Sequence, residues 1–200
     1  MNLEFRNGSA LFVRAAFHSG DSCRGLSAQL LLVDEFQDVA EGDLPVLMET
    51  LSHAEHGRTI LTGTPKSIDN HLEAMFRQST ANEWTIACPS CGKGTILDER
   101  SLGPQSLICP ECAGVLDPRQ GAWVARNPHS TWGDGYWIGH PMVPWLNYDE
   151  ILDRQRTYDI GKFNNEVLGL STTAGDHVVT RAELEACCGK YPMAARLADV

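Results

Sequence analysis

The chain has 200 residues, of which 42% are hydrophobic, so it can build one medium-sized domain or one domain with a small module. No apolar run approaches the roughly 20 residues that a membrane-spanning helix needs, and the start lacks the basic and apolar regions of a secretory signal. The formal net charge of −10 argues against a surface that binds nucleic acid throughout, although a local contact with DNA stays open.

The first third of the chain predicts strands that alternate with helices, an order typical of an α/β layer. Apolar and polar residues alternate around the Asn7-Gly8 pair, which is a strong signal for a β-hairpin. The segment over residues 29–33, which is apolar from Leu30 onward, predicts a strand of the kind that is buried on both faces in a parallel sheet. Asp43 is the predicted cap of the next helix, and Pro45 suits its first turn. The predicted elements are a hairpin over 2–17, strands over 29–33 and 58–61, and helices over 43–54 and 68–77.

Between residue 83 and about residue 126, cysteine, proline and glycine dominate, which predicts a small inserted module. Its CPSC and CPEC motifs are separated by seventeen residues, the spacing of a zinc ribbon, in which two tight turns place four thiolates on one metal. Gly92 and Gly114 lie just after these turns, where a positive φ is often needed. A disulfide pair or unbound thiols are the alternatives. The predicted structural Zn²⁺ ligands are Cys88, Cys91, Cys109 and Cys112.

After this module the sequence becomes aromatic and extended, and then predicts further helices. Asn147 is the predicted cap of a helix over residues 147–158, and a second short helix follows over residues 163–168. A last helix is predicted over residues 180–188. The other three cysteines belong to no motif and are assigned no role; they are Cys23, Cys187 and Cys188.

The segment LLLVDEF delivers Asp34 and Glu35 at the carboxyl end of an apolar strand. In P-loop motors such an Asp holds the water shell of Mg²⁺, and the adjacent Glu orients the attacking water. The alternative is a core strand followed by an acidic turn. The segment ILTGTP could place Thr62 and Thr64 where they sense a phosphate, or it could form a simple turn. Arg24 is a candidate arginine finger, with a solvated loop residue as the alternative.

The phosphate-binding pattern GxxxxGK[ST] does not occur in these 200 residues. It normally precedes the acidic strand, and only 33 residues lie before Asp34. The chain is therefore either no ATPase or the rear part of one, and we expect a fragment of a larger protein or a split gene product.

Several segments in this order resemble the large subunit of tailed-phage terminases, the ATP-driven motor that packages DNA. They are LEFRNGSALFVRAA, RGLSAQLLLVDEFQDV, TILTGTPK, NEWTIACPSCG, GYWIGHPMVPWLNYDEIL and KFNNEVLGLSTTAG. The resemblance implies a fold of the α/β class, a partial RecA-like P-loop core that lacks its Walker A half and carries an inserted zinc ribbon. It also implies that Asp34 and Glu35 form the Walker B pair, that Thr62, Gly63 and Thr64 form the coupling motif, and that Arg24 supplies a finger.

The resemblance further implies an organisation and a set of partners. Residues 1–82 would hold the rear of the ATPase core, 83–126 the ribbon, 127–178 the closing segment and 179–200 a linker to a missing nuclease domain. Cofactors would be structural Zn²⁺ with Mg²⁺ and ATP, Asp34 holding Mg²⁺ through water. Partners would be double-stranded DNA, the portal protein, the small terminase subunit and further copies in a ring. The motor would act in the host cytoplasm at the procapsid portal, without a membrane, and the isolated chain would be inactive.

Two other functions stay open. The DEFQD string resembles a motif of superfamily 1 helicases, but those proteins carry a GDxxQ-like motif after the following strand, where this chain has TGTPK. In the terminase interpretation, Gln37 and Asp38 instead begin a helix. The second alternative is a zinc-ribbon binding module on a non-catalytic α/β platform.

Overall fold

The computed structural model describes residues 1–16 and 19–173. Its strands are β1 (Asn2–Glu4), β2 (Ala10–Phe12), β3 (Leu30–Val33), β4 (Arg58–Leu61), β5 (Asn82–Ala87), β6 (Gly94–Ile96) and β7 (Gly121–Ala125). Its α-helices are α1 (Leu44–Met48), α2 (His71–Gln78), α3 (Tyr148–Thr157) and α4 (Ile160–Phe163). None of the helices in this part of the chain combines the length and the apolar character needed to cross a membrane.

Strands β1 and β2 form the predicted antiparallel hairpin. Gly8 takes a φ of 82° in the turn, and the Phe5 N–H donates to the Ser9 carbonyl at 2.8 Å across it. All residues of both strands are exposed, so the hairpin has little apolar contact with the rest of the chain.

Strands β3 and β4 pair in parallel, with Val33 opposite Leu61. Helices α1 and α2 cover one face of the pair, where Val33, Phe36 and Leu47 are buried. The prediction that β3 is buried on both faces is wrong, because Leu32 on the opposite face is 60% exposed. The described residues place only two strands in this sheet and lay no element over that face.

The predicted helix over residues 43–54 is interrupted. A 3₁₀ turn, Glu41–Asp43, precedes α1, and a second one, Glu49–Leu51, follows it. Pro45 lies in the first turn of α1 as predicted, but Asp43 has helical φ and ψ and makes no side-chain cap. The predicted cap is therefore wrong, since a capping residue needs extended backbone to aim its side chain at the free N–H groups.

Helix α2 begins later than predicted, because Asn70 caps it through the Leu72 N–H at 2.9 Å. Strand β5 forms the centre of an antiparallel sheet in the order β6-β5-β7. The core beside this sheet contains Ile86 and Leu97 and continues into Trp137 of the following segment. The cysteine module is thus packed against the chain that follows it.

Helix α3 is capped by Asn147, as predicted. Helix α4 begins before the predicted residue 163 and continues as a π turn over Asn164–Leu168. The indole N–H of Trp137 donates to the Leu168 carbonyl at 2.8 Å, which fixes this segment to the core. Thr172 then pairs with Ser67, and the predicted helix over residues 180–188 lies outside the described residues.

Candidate functional site

The two predicted catalytic acids lie where β3 ends. Asp34 and Glu35 are both exposed, and Glu35 has a φ of 51°, in the left-handed region that residues other than glycine seldom adopt. The parallel ladder continues beyond the strands on either side of them, because the Phe36 N–H donates to the Thr62 carbonyl and the Thr62 N–H to the Val33 carbonyl, both at 2.9 Å. These backbone bonds fix the strained turn, an arrangement often found at functional sites.

The predicted coupling motif lies directly beside the acids. The Thr62 hydroxyl donates to Asp34 Oδ1 at 2.7 Å, so the ends of β3 and β4 are joined through side chains as well as backbone. The Glu35 N–H donates to the same carboxylate oxygen at 3.1 Å. The two predicted catalytic acids therefore form one contiguous cluster with Thr62 of the predicted coupling motif.

Gln37 is a member of this cluster that the sequence did not suggest as a site residue. It belongs to the 3₁₀ turn Phe36–Asp38, and its side chain bridges the two motifs. Its amide nitrogen donates to Glu35 Oε2, and its amide oxygen accepts from the Thr64 N–H at 3.1 Å. Gly63 leaves room for this side chain, since a Cβ there would lie 2.0 Å from the Gln37 amide oxygen.

Other contacts hold the loop after the coupling motif against the turn after the acids. Lys66 forms an ion pair with Asp38. His71 Nε2 makes a 2.8 Å hydrogen bond with the Phe36 carbonyl. The Thr172 hydroxyl donates to the Lys66 carbonyl at 3.2 Å, so the site is connected to the end of the described chain.

Arg24, the candidate finger, follows a 3₁₀ turn and pairs with Asp21 at 2.6 Å on the surface. This pairing raises the pKa of Arg24 and lowers the pKa of Asp21 through the hydrogen bond between them. Arg24 borders a surface pocket of about 400 Å³. No hydrogen bond or ion pair among the described residues joins it to Asp34 or Glu35.

The structure brings the four predicted metal ligands together. Their sulfur atoms all lie within 4.8 Å of one another, with Cys88 and Cys112 at 3.6 Å and Cys91 and Cys109 at 3.8 Å. Thiolates about 2.3 Å from a tetrahedral metal would lie roughly 3.8 Å apart. The four sulfur atoms are therefore close enough together to bind one metal ion.

The backbone of both cysteine turns is arranged alike. The Gly92 N–H donates to the Cys88 carbonyl and the Ala113 N–H to the Cys109 carbonyl, both at 2.8 Å. Gly92 has the predicted positive φ of 75°, but in the second turn Ala113, at 57°, has it instead of Gly114. Ala113 directly follows the second cysteine of its motif, as Gly92 does. Gly114 serves another purpose, because a Cβ there would lie 2.6 Å from the Ser90 hydroxyl oxygen.

Backbone N–H groups aimed at the sulfur atoms favour the thiolate form that binds metals. The amide of Cys91 lowers the pKa of Cys88, and the amide of Glu111 lowers the pKa of Cys109 to about 6. The Gly114 amide also lowers the pKa of Cys112, but hydrogen bonds with the neighbouring thiols outweigh it and raise that pKa to about 12. Crowded thiols cannot all ionise without a cation between them.

Fold and site together define a chain of mixed helices and strands, with an acidic strand end and a four-cysteine module. The family comparison is more specific: residues 2–132 match the family described as phage terminase large subunit gpA, ATPase domain. The match covers more than half of the chain, so the chain belongs to this family of phage DNA-packaging ATPases. No curated protein and no solved structure gives a significant match.

Proposed function

We propose that this chain supplies the acidic and coupling half of an ATP-hydrolysis site that drives double-stranded DNA into a procapsid. The hydrogen bond from the Thr62 hydroxyl to Asp34 Oδ1 carries the proposal, because it joins the two predicted motifs at the ends of adjacent parallel strands. Ligands of α/β proteins bind at this edge of a sheet. The phosphate-binding loop, whose pattern these 200 residues lack, would come from a segment outside them.

Each acid has a distinct role in this proposal. Asp34 would hold Mg²⁺ through water, and its exposed carboxylate suits a cation that prefers oxygen ligands and keeps its water shell. The metal would neutralise charge on the phosphates of ATP. Glu35 accepts a hydrogen bond from the attacking water and orients it. Thr62, Gly63 and Thr64 would respond to loss of the terminal phosphate, and Arg24 would reach a phosphate in its own or an adjacent subunit.

The four-cysteine cluster would hold one structural Zn²⁺, since four thiolates fill a tetrahedral shell and leave no position for a substrate. Two of the sulfur-bearing residues, Cys88 and Cys109, lie in the same core as Ile86 and Leu97, so the metal would stabilise the sheet around it. In the whole motor the partners would be DNA, the portal protein, the small terminase subunit and further copies of the chain. A nuclease domain would follow residue 200, and the site of action would be the procapsid portal in the host cytoplasm.

The catalytic proposal is tested with the intact gene product that contains these residues. Glu35→Gln keeps the size of the side chain but removes the base, so the hydrolysis rate should fall by about 10²-fold to 10⁴-fold. Glu41→Gln is the matched control, because Glu41 is equally exposed but lies in the next turn. Hydrolysis that survives Glu35→Gln would refute the proposal. DNA strand separation by the wild type would favour the helicase alternative, and a complete lack of hydrolysis would favour the binding module.

The metal proposal is tested by metal analysis of freshly reduced protein. We expect one equivalent of zinc in the wild type and a loss of it in Cys109→Ser, whereas Cys23→Ser should keep it because Cys23 is buried in a separate core. Substantially less than one equivalent in the wild type would contradict the proposal.

A further inference from the structure

We infer that Gln37 is a positioning residue that holds the Glu35 carboxylate in its catalytic orientation and ties it to the backbone of the coupling motif. The inference rests on the proposed ATP hydrolysis. Gln37 is polar but only 7% exposed, whereas the nearby charged residues Glu35 and Asp38 are exposed. Both ends of its amide are used, one toward Glu35 and one toward Thr64.

The chemistry of the two partners explains why an amide stands here. A carboxylate only accepts hydrogen bonds and a backbone N–H only donates them, so the bridging group must donate at one end and accept at the other. Of the side chains of this length, glutamine does both without gaining or losing a proton. A glutamate at position 37 would place two acceptors side by side, and a leucine would offer neither function.

Gln37 is itself held in place from three sides. The backbone carbonyl of Gln37 accepts a hydrogen bond from the Asn70 side-chain amide at 3.2 Å. The backbone carbonyl of the preceding residue, Phe36, is hydrogen-bonded to His71. On the third side Gly63 provides the space that the Gln37 amide oxygen occupies. With its backbone fixed and its amide seated against Gly63, Gln37 can hold the exposed Glu35 carboxylate in one position.

Two consequences follow for the reaction. Without Gln37, Glu35 would sample several rotamers and would seldom face the attacking water, so the kcat should fall. The KM for ATP should change little, because Gln37 has no contact that would grip phosphates. The Thr64 N–H is bound to the same amide, so a movement of the coupling motif and a movement of Glu35 would accompany each other.

The test compares Gln37→Leu and Gln37→Glu with Asn147→Ala in the intact gene product. Asn147→Ala is the structural control: it removes the side chain that caps α3 through the Asp149 N–H, and it leaves the contacts of Gln37 in place. We expect both Gln37 variants to lose about 10-fold to 100-fold in kcat, with KM within about twofold, as is typical when a supporting residue is removed. Asn147→Ala should lose thermal stability but keep its kcat within about threefold.

A second measurement on the chain itself reads the bridge without ATP. Amide hydrogen exchange at Thr64 should become faster in Glu35→Ala, because the Gln37 amide then loses one of its two anchors, while Asp34→Ala should leave the Gln37 bridge intact. Unchanged exchange in Glu35→Ala would overturn the inference. So would a kcat in the Gln37 variants no lower than in Asn147→Ala, and in that case the proposed function would stand. Unimpaired hydrolysis by Glu35→Gln would instead overturn the proposed function, and the inference with it.

Discussion

Gly63→Ala tests the geometry of the site through stability alone. The φ of Gly63 lies outside the left-handed region, so alanine suits the backbone, but its Cβ would lie 2.0 Å from the Gln37 amide oxygen. The amide must therefore leave its position. The Thr64 N–H then loses a neutral hydrogen bond worth about 1 kcal/mol, and Glu35 loses a bond that, at its exposed position, is worth about as much. The expected loss is about 2 kcal/mol.

The assay is urea unfolding followed by circular dichroism at constant zinc concentration. In thermal unfolding of the same variant, a loss of about 2 kcal/mol would appear as a fall in Tm of about 4–8 °C for a chain of this size. Gly42→Ala is the matched control, because a Cβ at Gly42 meets no atom within 4 Å. That variant should be neutral or more stable by up to about 1 kcal/mol, since alanine restricts the unfolded chain.

The double variant identifies the cause. Gln37→Ala removes the same two hydrogen bonds, so it should also cost about 2 kcal/mol. Once the amide is gone, Gly63→Ala meets little beyond Leu72, 3.0 Å away at Cδ2, and should add less than about 0.5 kcal/mol. If the two losses instead add to about 4 kcal/mol, the contact between Gly63 and Gln37 is not the reason for the glycine, and the reasoning fails.

Three further predictions concern other parts of the chain. Arg24→Ala should leave the Tm unchanged, because the ion pair of Arg24 is exposed. If Arg24 acts as an arginine finger, the same variant should lower ATP hydrolysis by the intact gene product about 10³-fold. Hydrolysis equal to that of the wild type excludes that role. Burial and then Arg154 hold the pKa of His140 below its ordinary value of 6.5. The stability that comes from neutral His140 should therefore be fully present above pH 6.5 and be lost as the pH falls through the lowered pKa. Urea titrations at several pH values should show a smaller loss of stability at low pH in His140→Gln. Thr172→Val should cost about 1 kcal/mol, because it removes a hydroxyl that donates to the loop after the coupling motif, whereas the exposed Thr173→Val should cost little.

The strand predictions were largely right because short apolar segments bounded by turn residues carry a local signal. The β3 and β4 strands lie where the sequence placed them, and the hairpin forms around Asn7-Gly8. The burial of β3 was predicted wrongly. Apolar side chains show that both faces of a strand can be buried, but whether a face is buried depends on elements from elsewhere in the chain that pack on it. Leu32 shows the difference, since no described element covers it.

The helix predictions differed mainly at their ends. Asn147 caps a helix as predicted, and Asn70 caps α2 without having been predicted as a cap. The predicted cap Asp43 is prevented by the helical backbone at that residue. Sequence composition alone does not distinguish an acid before a helix from an acid inside a 3₁₀ turn. In both cysteine turns the residue directly after the second cysteine has the positive φ. In the second turn this residue is Ala113, although the glycine lies one position later.

By itself the sequence determined which residues are the candidates for chemistry: the acids after an apolar strand, the TGT segment after the next one and two CxxC motifs at ribbon spacing. These are local patterns, in which residue type and spacing follow from the bonds that the residues must make. The tertiary structure alone decided that Thr62 orients Asp34 and that Gln37 joins Glu35 to Thr64. Such contacts depend on how two parallel strands and the turns after them are placed in space. Residue types and local spacing do not show which side chains from distant parts of the sequence will be in hydrogen-bonding distance.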